Sequence, residues 1–174
     1  MEKSRPYSQE LERVEVDYDK VKEALASLKD MKILFVELGS ETDFLSMGNR
    51  LDVLSDLINW ISDTYGYQCL LASHHAGSTI PILEKSKIVF CGYVTPANRL
   101  GVMMFPTKKS SEVAIKNCKR PVIAIKSLAG GRIPPKPAFE YVYDELDIPC
   151  CMIGVGSENE LERDASAAME VYSR

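Results

Sequence analysis

The stretch RPVIAIKSLAGGRIPPKP, residues 120–137, sets the reading of the whole chain. An apolar run from Val122 to Ile125 closes on Lys126; Gly130, Gly131 and Arg132 follow, and Pro134 and Pro135 open something new. Proline suits the first turn of a helix, where its missing N–H is one that the helix leaves unpaired anyway. The stretch reads as a strand, a tight turn and a helix start. Its nearly continuous apolar character, without alternation, belongs to a strand covered on both faces, which is the habit of parallel sheets.

Four other runs repeat the pattern: KILFVEL from Lys32, QCLLAS from Gln68, KIVFCGYV from Lys87 and PCCMIGV from Pro149. Helical periods lie between them. The first covers about 17–28. The second, 47–65, carries Leu51, Leu54, Leu57, Ile58 and Ile61 at spacings of three and four and stops at Gly66, a C-cap residue. A short helix follows Ser78, and others cover 110–117 and 135–146. The last starts at Ser157, with Glu160 three positions on as in a capping box.

One helix and then five βα units predict an α/β fold with right-handed crossovers. Five parallel strands make either a partial barrel or an open doubly wound sheet. A whole (β/α)8 barrel takes about 250 residues, and the chain has 174, so the barrel reading is a half barrel of about five strands. Irregular strand spacing, long loops after the strands and the lack of GxGxxG after the first run favour it over a dinucleotide-binding sheet. The expected organisation is a polar N-terminal segment, 1–16, and a single partial-barrel domain, 17–174.

Composition narrows the function classes. With 45% hydrophobic and 26% charged residues, one sizeable core is affordable in a chain of this length. A net charge of −4 gives no general attraction to polyanions, which argues against a nucleic-acid partner. The opening residues lack the apolar core of a secretory signal, and no stretch has the ~18 apolar residues of a membrane span. A cytoplasmic protein without membrane contact is expected. Of the five cysteines, Cys69, Cys91, Cys150 and Cys151 sit in apolar runs, where reduced thiols pack as small hydrophobes, and no CxxC pair occurs.

The candidate chemistry sits where strands end. In barrels a phosphate often binds between the loops after the last two strands, held by unobstructed backbone N–H groups, a helix dipole and a cation. Gly130, Gly131 and Arg132 in one such loop, with Gly154, Gly156 and Ser157 in the next, fit that need; equally, glycines after strands permit tight turns. Alternation places Lys126 on the face of Val122 and Ala124. There it binds an anion, forms a Schiff base at the barrel mouth, or turns outward to solvent. His74, beside His75, is a candidate general acid or base, with Glu37 as its counterpart or as a second metal ligand; a polar turn capped at Ser78 is the plainer alternative. No third ligand accompanies them, so no metal is assigned, and no cofactor is named by the sequence. The long segment TPANRLGVMMFPTKK reads either as a lid, with Asn98 and Arg99 reaching a ligand, or as a surface for another subunit. The segment ELGSETDFLSMGNR poses the same choice.

The stretches RPVIAIKSLAGGRI and MIGVGSENELERD resemble the seventh and eighth βα units of the aldo-keto reductases. CLLASHHAGSTIPILEKSKIVFCGYVTPAN is similar to the fifth and sixth. The resemblance spans about 68–168 and implies strands four to eight of a TIM barrel. The family's catalytic Asp, Tyr, Lys and His come from its first four strands, so reductase activity is not expected from this chain alone. Where the family's last motif has Gln and Asn, this chain has Glu160 and Asp164, whose charge would repel a nucleotide phosphate. The function expected is a TIM-barrel-like domain binding a small phosphorylated or carboxylated ligand, by an unnamed reaction if any. The alternative is an inactive half barrel serving as a structural or regulatory module. Two open strand edges imply a homo-oligomer or a partner chain that completes the barrel.

Overall fold

Each of the five apolar runs supplies one strand of a single parallel sheet in a computed structural model, which describes residues 11–39 and 41–174. The strands are β1 (Phe35–Leu38), β2 (Gln68–Ala72), β3 (Gly92–Pro96), β4 (Val122–Ile125) and β5 (Cys150–Cys151). They lie side by side in chain order. Around them run α1 (Tyr18–Ala26), α2 (Glu41–Met47), α3 (Leu51–Tyr65), α4 (Ala76–Glu84), α5 (Lys108–Asn117), α6 (Pro135–Glu140) and α7 (Glu158–Tyr172). A π-helical turn, Tyr141–Glu145, extends α6.

Register divides the sheet into two faces, because residues paired across parallel strands point the same way. Val36 pairs with Cys69, Leu38 with Leu71, Tyr93 with Val122 and Ala124 with Cys151. These residues pack with Leu54, Ile58 and Ile61 of α3, Ile80 and Leu83 of α4, Ala114 and Ile115 of α5, and Tyr141 and Val142 of the π-turn in one main core. The other face carries Leu70, Ala72, Val94, Ile123 and Ile125, a smaller cluster built from strand residues and Cys91. The sheet is open, with helices after four successive strands gathered on one face. An open parallel sheet in chain order is consistent with a partial barrel and equally with part of a doubly wound α/β sheet, the two alternatives that the sequence leaves.

The local signals explain the boundaries. Gly66 ends α3 in a left-handed conformation, φ 72°, which costs glycine least. Thr107 and Ser110 form a reciprocal capping box at α5, and the Ser157 hydroxyl accepts the Glu160 N–H at α7. The helix expected over 47–65 begins later, at Leu51. Asn49 takes φ 60° and breaks the chain between α2 and α3. The segment after β1, read as lid or interface, contains α2, whose Leu45 is buried in the main core.

The polar segment 1–16 lies partly outside the described residues, but Val14 and Val16 at its end pack against the main core. At the N-terminal edge of the sheet, Glu84 accepts from Tyr93 Oη (2.8 Å), Arg120 Nη1 (2.7 Å) and the Lys119 amide (3.0 Å). The Arg120 guanidinium stacks over Phe90 at 4.2 Å. This network joins α4, β3 and the start of β4 at the end opposite the loops that carry the candidate site. Among the described residues no helix is long and apolar enough to cross a membrane.

Candidate functional site

The C-terminal ends of the strands are built in two ways. After β2 the chain turns through Ser73, His74 and His75 into α4, and one carboxylate holds the turn. Asp43 of α2, almost wholly buried, accepts four hydrogen bonds: from Ser73 Oγ (2.5 Å), Thr79 Oγ1 (2.6 Å), the His74 amide (2.8 Å) and the His75 amide (3.1 Å). Nothing in local spacing marks Asp43, whose partners lie 30–36 positions away. The His74 carbonyl accepts from the Phe105 amide at 2.9 Å, and the His75 ring stacks on Phe105. The long loop after β3 is thereby tied to the same turn.

That loop is also closed on itself. Asn98 is fully buried; its Nδ2 donates to the Val102 carbonyl and its Oδ1 accepts the Val102 amide, at 2.9 and 2.8 Å. Arg99 pairs with Glu145 at 2.5 Å and lies 5.7 Å from the centre of the Tyr141 ring. Asn98 and Arg99 therefore fasten the loop to its neighbours, and in this arrangement neither presents its polar end to the groove described next.

The turn after β4 is different. Lys126, Ala129, Gly130 and Gly131 all have positive φ, at 56, 49, 68 and 78°. Alternation along β4 stops at Lys126. Val122 and Ala124 face the helices in the main core, so the face expected to be the barrel interior is the covered one, and the left-handed backbone carries Lys126 off it. The turn's own hydrogen bonds run from Ala129 N–H to Lys126 O (2.8 Å) and from Ile133 N–H to Leu128 O (3.2 Å). The amides of Gly130, Gly131 and Arg132 take no part in them. Arg132 donates to the Ala129 carbonyl at 2.8 Å, and the exposed Lys126 makes no ion pair among the described residues.

This turn forms one wall of a groove of about 830 Å³. Met152, Ile153 and Gly154 after β5 line it too, and so do Glu160, Arg163 and Asp164 of α7, with Val102 and Met103 from the loop after β3. Gly156 and Ser157 serve the helix instead: the Gly156 amide donates to Glu160 Oε2 at 2.7 Å and Ser157 caps α7. Of the residues singled out in sequence, Lys126, Gly130, Gly131, Arg132 and Gly154 thus share the groove, while Gly156 and Ser157 stand beside it.

No protein-family model and no curated protein matches this chain.

His74 does not line the groove, yet it lies within reach of the charge of Lys126. Burial first, and then the Lys126 ammonium and His75, lower the pKa of His74 below the usual 6.5, against the opposing pull of Asp43 and Glu37. The imidazole is neutral at pH 7, and its Nε2 is buried without a hydrogen-bond partner among the described residues. Glu37 projects from β1 on the face of Leu70, with which it is in register, and is exposed. The strand ends therefore bring His74, Lys126 and Glu37 into one electrostatic neighbourhood. Among the described residues no group of three or more His, Cys, Asp or Glu side chains is placed to hold a metal.

The cysteines are all free. Burial pushes the Cys69 thiol up to about 11, and also raises Cys151, whose Sγ is 3.1 Å from Ser127 Oγ. Cys150, expected to pack inside a strand, is exposed on the last and shortest strand.

Proposed function

We propose that the chain is an arc of a TIM-type barrel, as its resemblance to the aldo-keto reductases implies, and that it binds a small phosphorylated or carboxylated molecule in the groove after β4 and β5. The carrying observation is the β4–α6 turn: the amides of Gly130, Gly131 and Arg132 are left out of its internal hydrogen bonds, and Lys126 and Arg132 line the same groove. Successive N–H groups in a turn that contains left-handed residues form the kind of concavity that suits an oxyanion. Two non-glycine residues, Lys126 and Ala129, are held in that conformation. Such placement costs of order 1 kcal/mol or more per residue and is met where geometry serves a ligand. Lys126 supplies the point charge, and Arg132 braces the turn through its bond to Ala129.

Titration calorimetry with inorganic phosphate and with ethyl phosphate tests this reading. Saturable binding that weakens about tenfold in Lys126→Met, the order expected for one charge-assisted contact, supports it. No binding of either anion, or equal binding by Lys126→Met, overturns it.

A second reading rests on a separate observation. Both edges of the sheet expose large apolar side chains: Leu34 and Phe35 at β1, Met152 just after β5 and Leu161, Met169 and Tyr172 on α7. Unpaired parallel edges flanked by apolar residues suit pairing with a second copy of the chain, which makes the arc an oligomerising module. Sedimentation equilibrium decides it. A dimer at micromolar concentration supports the reading, and a monomer at 100 µM sinks it.

A further inference from the structure

We infer that the groove takes an anionic ligand that also carries an amine, and that Asp164 is the residue that receives it; this rests on the anion site proposed above. Asp164 is 1% exposed yet lines the groove. Its Oδ1 accepts from Arg163 Nε at 2.8 Å, and its Oδ2 receives no hydrogen bond among the described residues. A largely buried carboxylate with one oxygen paired to Arg163 and the other unpaired keeps the capacity to accept a further donor. A ligand group entering the groove is placed to supply the missing donor.

The charges around the groove are segregated along the chain. Lys126 and Arg132 come from the β4–α6 turn, while Glu160 and Asp164, with Arg163 between them in sequence, come from α7. The first wall is net positive by two and the second net negative by one. Met103, Met152 and Leu128 also line the groove. A simple anion is attracted by one wall and repelled by the other. A molecule with phosphate or carboxylate at one end, a short apolar spacer and an ammonium group at the other satisfies both. An ammonium is preferred to a hydroxyl because the wall it meets carries net negative charge, and a charge-assisted bond is about twice as strong as a neutral one.

The test compares aminoethyl phosphate with ethyl phosphate on the full chain by calorimetry at pH 7. The two share the phosphate and differ only in the ammonium. We expect the amino compound to bind about tenfold more tightly, equivalent to about 1.4 kcal/mol. Asp164→Asn should reduce that preference to twofold or less while leaving the affinity for ethyl phosphate unchanged or improved. Equal affinity of the two compounds in the unaltered protein overturns the amine subsite and leaves the anion site standing. Failure of both to bind overturns the anion site and the inference with it. Should Asp164→Asn fail to fold, N-acetylaminoethyl phosphate, whose nitrogen carries no charge at pH 7, gives the same reading in the unaltered chain. The preference over ethyl phosphate should then vanish, and its persistence would overturn the role of the ammonium.

Discussion

The turn after β2 and the turn after β4 occupy equivalent places at the ends of parallel strands and are built on opposite principles. In the first, two backbone amides and two hydroxyls converge on the buried carboxylate of Asp43. In the second, three successive amides are left out of the internal bonding, two cations stand nearby, and the backbone takes conformations that side chains disfavour. Buried polar groups that satisfy one another rigidify a structure. Amides at exposed residues outside such a network are met by water, which a ligand can displace. The contrast separates a scaffold turn from the turn proposed for recognition, and substitutions can attack it from either side.

The largest effect is expected at Asp43. Asp43→Ala strands the hydroxyls of Ser73 and Thr79, both essentially buried, along with the two histidine amides. Unsatisfied buried donors cost about 1–3 kcal/mol each, partly relieved by water entering the space left. A loss of about 4 kcal/mol is expected, which for a chain of this size lowers Tm on the order of 10 °C. Arg132→Ala, at the exposed turn after β4, should shift Tm by no more than about 2 °C. If thermal melts show the two substitutions to be equally costly, the division into scaffold and recognition turn fails.

Next is Gly77, which lets α4 and α5 meet beside the same histidine turn. A methyl group there would stand 2.5 Å from Ser110 Oγ and 2.8 Å from its Cβ. Ser110 cannot move aside freely because it belongs to the α5 capping box. Gly77→Ala should cost about 2 kcal/mol, in the range of overpacked cores. Gly131→Ala has open space around it and pays only for its positive φ, about 1 kcal/mol. Chemical denaturation of both variants measures the difference, and a reversed order would show α4 and α5 to be looser than their contact implies.

A smaller effect, of opposite sign, is expected at Lys126. Relieving its left-handed backbone with Lys126→Gly should stabilise the chain by about 1 kcal/mol while weakening phosphate binding. Stability gained together with affinity lost is the mark of a residue held in strain for a ligand. A variant that loses stability would show that the side chain packs, and the turn would then belong with the scaffold.

The sequence and the structure agree where the signal is local. Apolar runs with β-branched residues became strands, and Ser157, Thr107 and Gly66 mark helix ends in the places their chemistry favours. The runs were longer than the strands, since KILFVEL yields only Phe35–Leu38 and PCCMIGV only Cys150–Cys151. Apolar character records burial, and burial continues past the last ladder bond. The glycine turn was legible as a candidate because Gly130 and Gly131 announce positive φ. Lys126 and Ala129 in the same conformation were not, because nothing about a lysine or an alanine encodes it. Asp43 was missed for a different reason: its role exists only after β2 and α4 have packed beside α2. Asn98 and Arg99 looked like ligand contacts and serve their own loop and its neighbours, since a polar residue in a long loop is equally suited to either use.

The smallest effect sharpens the comparison at its border, where His74 of the scaffold turn meets the charge of Lys126 from the turn after β4. The pKa of His74 is lowered in the fold, chiefly by burial and then by Lys126. Below the unfolded value near 6.5 the unfolded chain therefore binds the proton more readily than the folded one. The contribution of the neutral imidazole is complete above that pH and is lost as pH falls through the window toward the folded pKa. Denaturation midpoints measured between pH 8 and 5 should be flat at first and then decline. His74→Gln should remove part of the decline, and Lys126→Met should make it shallower by withdrawing a cation that opposes protonation. If Lys126→Met leaves the slope unchanged, the two turns are electrostatically independent, and an anion held at Lys126 would have no means of altering the protonation of His74.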